Sequence, residues 1–289
     1  KYSVDLLAAI NGSPTQGFGY TTLMTNNGKM VNRGVEITLS GEIIRQKDFS
    51  WNASLLYAFN RNKVKHISVQ PSLWDSRISM PTSYPMVGKP LYGIYAYKWA
   101  GLNENGDPQV YDAENNVTSG PARDYHALVY CGTTVPIHNA SLTNVLRYKG
   151  FEFSAMLILD AGHKLRSSNI PSINMSNGRI TSTAKGIVDR WTQPGDVTDV
   201  PRLLFSNDTE NFNTHRTELY RYSDLFVYDA SNIRLSNISL AYRVPAHWCK
   251  KISLSGARLQ FNVENVATFA FDSKANYDLG GKVKPNYVW

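Results

Sequence analysis

Phe49-Ser-Trp-Asn-Ala-Ser-Leu-Leu-Tyr-Ala-Phe-Asn60 is the stretch that decides the fold. Successive residues of a strand point to opposite sides, so Phe49, Trp51, Ala53, Leu55, Tyr57 and Phe59 share one face. Ser50, Asn52, Ser54, Leu56, Ala58 and Asn60 share the other. The apolar face is about eleven residues long, near the ~9–11 that cross a membrane as a tilted strand. It carries aromatics at both ends with Ala and Leu between them. A strand in a soluble sandwich is usually about 5–6 residues long and has no reason to bracket its apolar face with rings. Two aromatic girdles around a thin apolar band supply that reason.

The same period runs outward from this segment. In Val35-Glu-Ile-Thr-Leu-Ser, apolar Val35, Ile37 and Leu39 alternate with Glu36, Thr38 and Ser40, and the strand is expected over Gly34–Ile43. Ala140–Tyr148 and Phe151–Asp160 are separated only by Lys149-Gly150, a hairpin signal. In the second of them Phe151, Phe153, Ala155, Leu157 and Leu159 align. Phe226–Arg243 and Ile252–Val263 form a further pair, with a slip of phase at Ser236-Asn237-Ile238 that predicts a bulge. Tyr2–Ala9 is a weaker strand, and Pro285–Trp289 reads as the start of a last one. The expected class is all-β, an antiparallel transmembrane barrel represented here by about eight strands.

The connections alternate in length. Ile44–Asp48, Lys149-Gly150 and Val244–Lys251 are short, whereas Asn11–Lys29, Lys63–Asn139 and His163–Asp224 are long and polar. Long structureless loops count against a soluble domain. In an outer-membrane barrel, short periplasmic turns and long extracellular loops are the rule. Phe49–Asn60 and Phe151–Asp160 then run outward, and Ala140–Tyr148 and Phe226–Arg243 inward. Cys131 falls outside and Cys249 in a periplasmic turn, too far apart for a disulfide.

Composition agrees. Of 289 residues 42% are hydrophobic and only 18% charged, with 17 Tyr, 11 Phe and 6 Trp. Rings with a polar tip suit a wet–apolar boundary, and also sugar binding. No stretch approaches the ~18 consecutive apolar residues of a membrane-spanning helix. Lys1-Tyr-Ser-Val begins in mid-pattern, without the features of a signal peptide, and reads as an internal cut in a longer chain. The net charge of +7 is scattered, densest at Lys250-Lys251, with no basic stripe of the kind nucleic acid requires.

Several segments, in order over nearly the whole chain, resemble the C-terminal half of SusC/RagA-type TonB-dependent transporters of Bacteroidetes. They are Asn27-Gly-Lys-Met-Val-Asn-Arg-Gly-Val-Glu-Ile, Asp48-Phe-Ser-Trp, Asn60-Arg-Asn-Lys-Val, Gly88-Lys-Pro-Leu-Tyr, Tyr97-Lys-Trp-Ala-Gly-Leu and Gly106-Asp-Pro-Gln-Val-Tyr. Arg221-Tyr-Ser-Asp-Leu-Phe-Val-Tyr-Asp-Ala-Ser-Asn-Ile-Arg-Leu-Ser-Asn-Ile-Ser-Leu-Ala-Tyr, resembling the family's penultimate inward strand, and Val263-Glu-Asn-Val-Ala-Thr-Phe, matching a loop entry, complete the set. The resemblance implies a 22-stranded barrel, the size class of plugged outer-membrane transporters. Residues 1–289 would be the C-terminal part of that single barrel domain, the plug and N-terminal strands lying elsewhere in the protein. It also implies import rather than catalysis: a SusD-like surface lipoprotein caps the barrel, a glycan or peptide binds between them, and the TonB complex pulls on the plug.

No cofactor is expected. The six histidines share no metal spacing, and there is no CxxC motif. Asn103-Glu-Asn-Gly-Asp107 faintly resembles a calcium loop, but its Gly falls too early and turn chemistry accounts for it. Substrate candidates are loop aromatics with polar neighbours, because sugars stack on rings and their hydroxyls take carboxylate or amide partners: Trp74, Asp75, Arg77, Tyr84, Tyr92, Trp99 and Trp191. The lipid-facing girdle set is Phe49, Trp51, Tyr57, Phe59, Phe151, Phe153 and Tyr242. The competing readings are an adhesive β-sandwich, a siderophore or cobalamin receptor on the same barrel, and a barrel phospholipase, for which no Ser/His pair can be placed.

Overall fold

The computed structural model describes residues 2–11, 22–67, 76–120, 124–175, 184–205, 214–251, 253–275, 278–279 and 286–288. Its strands are β1 Tyr2–Asn11, β2 Thr22–Arg45, β3 Phe49–Ile67, β4 Gly93–Tyr97, β5 Trp99–Leu102, β6 Pro108–Tyr111, β7 Val117–Thr118, β8 Leu128–Thr133 and β9 His138–Tyr148. They continue with β10 Phe151–Ala161, β11 Lys164–Arg166, β12 Asn174–Met175, β13 Leu204–Phe205, β14 Val227–Asp229, β15 Asn232–Val244, β16 Ala257–Ala270 and β17 Asn286–Val288. Short helices are α1 Ser76–Ser79, α2 Thr214–Arg221 and α3 Ala246–Lys251. No helix among the described residues is long and apolar enough to cross a membrane.

Eight strands form one sheet in the order β1-β2-β3-β9-β10-β15-β16-β17. This is an open sheet rather than a closed barrel, with β1 and β17 at its edges. β3 and β9 pair antiparallel from Phe49↔Tyr148 to Phe59↔His138. β9 and β10 pair from Tyr148↔Phe151 to His138↔Ala161. Their turn is Lys149-Gly150, with Lys149 at φ 52. There Gly150 lies so close to the neighbouring strand that a Cβ would come within 2.9 Å of the Arg243 carbonyl oxygen. The phase slip falls at Ser236, where expected. Leu235 and Asn237 pair with Leu157 and Met156 on one side and with Ala267 and Glu264 on the other, leaving Ser236 as the extra residue.

Four boundaries differ from the sequence reading. β2 and β3 run well past Gly34–Ile43 and Phe49–Asn60, and β1 pairs with β2 from Tyr2↔Val31 to Asn11↔Thr22. Alternation marks only where one face is apolar, whereas the backbone ladder continues beyond that band. The second difference is at the β15–β16 connection. Pro245 opens α3, its carbonyl accepting from Trp248 and Cys249, so β16 starts at Ala257 rather than Ile252. Val263–Phe269, read as a loop entry, lies inside β16, where Asn265 takes φ 54 beside the irregular register. Lastly, Phe226–Arg243 divides into β14 and β15, because the Asp229 carboxylate accepts from the Ser231 amide and turns the chain.

The chain divides into two compact units. The sheet unit comprises Arg33–Arg61, Pro136–His163 and Asp229–Trp289. The loop unit comprises Lys1–Asn32, Asn62–Val135 and Lys164–Tyr228. The segments expected as long loops are not structureless. They hold the small sheets β4-β8, β5-β6-β7 and β12-β13, and β11, which pairs with β14. Tyr95, Tyr97, Val110, Ala127, Leu128 and Leu219 close a hydrophobic core of their own, and Ile173, Tyr220 and Phe226 close a second. These strands of two to six residues are too short to show a period.

Candidate functional site

The sheet unit has two chemically distinct faces. By strand register, Phe49, Trp51 and Leu55 share a side with Tyr148, Leu146 and Leu142, then with Phe151, Phe153 and Leu157, and onward to Tyr242, Leu240 and Leu235. The hydrogen bond between the Ser40 and Ser54 hydroxyls, 2.7 Å, puts those two on the opposite side, so Leu39 joins the apolar one. These apolar side chains are exposed: Leu39 by 61%, Phe151 by 50%, Leu240 by 48% and Leu259 by 68%. At one end Phe151 and Tyr242 stack with ring centroids 4.4 Å apart. At the other, the Tyr57 hydroxyl lies 2.8 Å from His138 Nδ1, and the Phe59 ring is 5.3 Å from the imidazole.

Asn144 interrupts the middle of the apolar face. Asn144 is mid-strand opposite Ala53, and its Oδ1 accepts from Trp51 Nε1 at 3.0 Å. In a membrane that bond would shield an otherwise orphaned amide. Trp51→Phe is therefore expected to lower the folding free energy by about 1–2 kcal/mol, and the double change Trp51→Phe with Asn144→Leu to restore most of it. Denaturant titration of refolding into bilayers measures both; equal losses for the single and double variants would refute the role of the bond.

The opposite face is polar. Asn139 Nδ2 donates to Asp160 Oδ1 at 2.7 Å, and Arg234 lies 4.0 Å from Asp160 Oδ2. Arg147 Nε donates to Glu152 Oε2 at 2.8 Å and Arg258 Nη2 to Glu152 Oε1 at 3.1 Å. Just beyond β10, His163 is buried with Nδ1 unpartnered. Burial holds its pKa below the usual imidazole value, against the opposing pull of Asp160 and Asp229. A histidine kept neutral by folding binds fewer protons than the unfolded chain, so its destabilising effect is absent above about pH 6.5 and grows as pH falls below that. His163→Gln is expected to flatten the pH dependence of stability between about pH 7 and 5. An unchanged slope in thermal unfolding across that range would exclude the effect.

In the loop unit the polar centre is the turn at Gly106-Asp107. Asn103 Oδ1 accepts from the amides of Asn105 and Asp107, so this segment spends its oxygens on its own turn. Gly106, at φ 75, lies under Trp191, where a Cβ would sit 2.4 Å from the indole. Asp107 Oδ1 accepts from Arg202 Nε and Arg216 Nε at 3.1 Å each, and Oδ2 from Arg202 Nη2 at 2.8 Å. The side chain of Arg216 is 3% exposed, and its other donors reach Ile173 O, Asn174 Oδ1 and Arg202 O. Burial pulls this guanidinium's pKa down and Asp107 holds it up.

Of the seven substrate candidates, Trp74 and Asp75 lie outside the described residues. Arg77 is buried, its Nε 3.4 Å from Tyr84 O and its guanidinium 5.8 Å from the Tyr95 ring centre. Tyr92 is 46% exposed. Trp99 donates from Nε1 to Asp199 Oδ1 at 2.8 Å and packs on Tyr220 at 5.9 Å between centroids. Trp191 is half-buried over Gly106. All five described candidates fall in the loop unit; the structure brings together Arg77 with Tyr84, and separately pairs Trp99 with Asp199 and Trp191 with Gly106. Sequence reasoning missed Arg216, Asp199 and Asp224, which accepts the Trp99 amide at 3.0 Å; such partners lie about a hundred residues away along the chain and leave no local pattern. Both described cysteines are free, and burial pushes the Cys131 thiol up to about 11.

No protein-family model matches the chain. It is 25% identical over 280 residues to TonB-dependent receptor P3 of Formosa agariphila, covering 90% of this chain and 26% of that protein. It is 22% identical over 263 residues to TonB-dependent receptor SusC of Bacteroides thetaiotaomicron, covering 86% of this chain and 24% of SusC. Among solved structures, a chain of the RagAB peptide transporter superposes over 94% of this chain and 29% of its own length, with a TM-score of 0.70 at 21% identity. The chain is SusC-like. Its sheet has the fold of a TonB-dependent transporter barrel, of which it forms an open portion. The SusC-like chain spans about a quarter of the length of the curated relatives it matches. Those relatives are receptors, and the matched structure a transporter, not enzymes.

Proposed function

We propose that this chain is wall and extracellular loops of an outer-membrane importer that takes up oligosaccharides or peptides by a TonB-dependent route. The observation that carries the reading is the two-faced sheet, exposed and apolar on one side and hydrogen-bonded and charged on the other, in a chain that is 25% identical to a TonB-dependent receptor over 90% of its length. Lipid would cover the first face and the barrel lumen the second, because a guanidinium on the lipid side costs about 2–4 kcal/mol at mid-membrane. A SusD-like lipoprotein would close the loop side as a lid, and the TonB complex would act through a plug carried by the rest of the polypeptide. Tyr92 and Trp99 are the described aromatics best suited to line the substrate cavity, with Asp199 beside Trp99 as a hydroxyl acceptor.

The test is fractionation of native cells, purification in detergent and identification of co-purifying proteins. Recovery from the outer membrane in a chain of about 100 kDa with a surface lipoprotein attached is expected. Recovery as a soluble 32.4 kDa monomer would overturn the reading in favour of an adhesive sandwich.

A further inference from the structure

Toward the outward end of β3, the apolar face of the sheet unit gives way on β2 and β3 to arginines. The Ser40–Ser54 hydrogen bond fixes the pairing of these two strands at mid-length, and farther out a Cβ on Gly34 would come within 3.6 Å of the Asn60 Cα, in the same antiparallel register. That register sets Leu39 opposite Leu55, Val35 opposite Phe59 and Arg33 opposite Arg61, all on the apolar side. Both arginines are exposed, and neither forms an ion pair among the described residues. Glu36, the nearest acid on β2, alternates to the other face. Beyond Arg61, β3 continues with exposed Lys63 and Lys65 at the same alternation and carries no acid anywhere along its length. Like charges directly opposite on a ladder are destabilising, so this pair stands ready for an anion.

We infer that Arg33 and Arg61 form a headgroup site for a phosphorylated lipid of the outer leaflet. The inference rests on the importer reading, which lays lipid against this face and turns this end of β3 outward. Two features select the occupant. A phosphate monoester brings roughly two negative charges, and its oxygens match the fork of a guanidinium in pairs. Leading away from the arginines on the same face are Val35, Ile37 and Leu39, exposed by 57%, 47% and 61%, a strip along which the acyl chains of the same molecule would lie. A free anion gains nothing from that strip, and a lipid with a neutral headgroup gains nothing from the arginines. Only an amphiphile with an anionic head uses both.

The experiment titrates the full-length protein, delipidated in mild detergent, with monophosphoryl lipid A and with the same lipid after its phosphate has been removed. Native mass spectrometry reads the lipid bound. The phosphorylated form is expected to bind more tightly, and the double variant Arg33→Gln with Arg61→Gln to weaken it roughly thirtyfold, leaving the two lipids equal. Arg33→Lys with Arg61→Lys keeps the charge and should keep most of the preference, and millimolar inorganic phosphate should not displace the lipid. Equal binding of the two lipids by the unaltered protein overturns the inference, as does full retention by the glutamine variant or displacement by inorganic phosphate. Outer-membrane recovery of the same preparations separates the two failures: absence from that fraction sinks the importer reading, whereas correct placement without a phosphate preference sinks the headgroup site alone.

Discussion

Replacing Asp107 by alanine is expected to loosen the loop unit by roughly 3 kcal/mol, the low end of what removing one partner from a buried ion pair costs. The carboxylate receives three donor atoms from two guanidiniums. Without it Arg216, 3% exposed, keeps only carbonyl and amide acceptors and faces Arg202 as a like charge. The low end applies because Asp107 and Arg202 are 21% and 24% exposed and water can partly replace the bond. Asp107→Asn keeps an acceptor and should cost about 1–2 kcal/mol. Hydrogen exchange in the full-length protein is the readout, with amides of α2 and β6 opening about a hundredfold faster in the alanine variant. Unchanged protection there would mean that Asp107 is not a brace, and the packing of Tyr95, Tyr97 and Leu219 would carry the unit alone.

That brace shows where sequence reading stops. Phe49–Phe59 declared its strand, its exposed face and its ring-bracketed ends through local period alone, and the hairpin at Lys149-Gly150 and the slip at Ser236 were equally local. Asp107, Arg202 and Arg216 are joined by folding across about a hundred residues, and none has a neighbour that announces the others. The strand ends at Thr22 and Ala257 were missed for another reason: backbone pairing carries β2 beyond its apolar band, and Pro245 turns an expected tight connection into a helix. The substrate candidates rested on residue type, and type alone does not tell an indole that caps a glycine, as Trp191 does, from one left open to a ligand.

Leu157→Arg is expected to destabilise the inserted protein by about 2–4 kcal/mol, whereas Ser154→Arg, three residues away on the other face, should change it by less than about 1 kcal/mol. Leu157 is 37% exposed and central, paired with Leu142 on one side and Leu235 on the other. Ser154 pairs with Val145 and Ser239 on the polar side. In water two solvent-accessible positions of one strand would tolerate arginine about equally, so the asymmetry is a property of lipid on one face. Urea-dependent refolding of the full-length protein into vesicles, followed by its resistance to heat unfolding on gels, measures both variants. Equal effects would remove lipid from the apolar face and return the sandwich to consideration.

The order of strands also sets an order of assembly. Every neighbour in the sheet is the next main strand along the chain, so no pairing has to wait for a distant partner from elsewhere in the fold. The waits differ, however. β9 and β10 meet across Lys149-Gly150, while β3 and β9 must be joined across everything between Ile67 and His138. Closing a flexible loop some thirty-five times longer costs about 3 kcal/mol more in chain entropy. The intervening segment supplies Tyr95, Tyr97, Val110, Ala127 and Leu128 to one core, with Leu219 joining from farther along the chain, so if those residues condense first much of that cost is already met. Growth of the sheet would then be timed by that core: a variant that slows its packing delays closure of β3 onto β9, although no residue of either strand has changed.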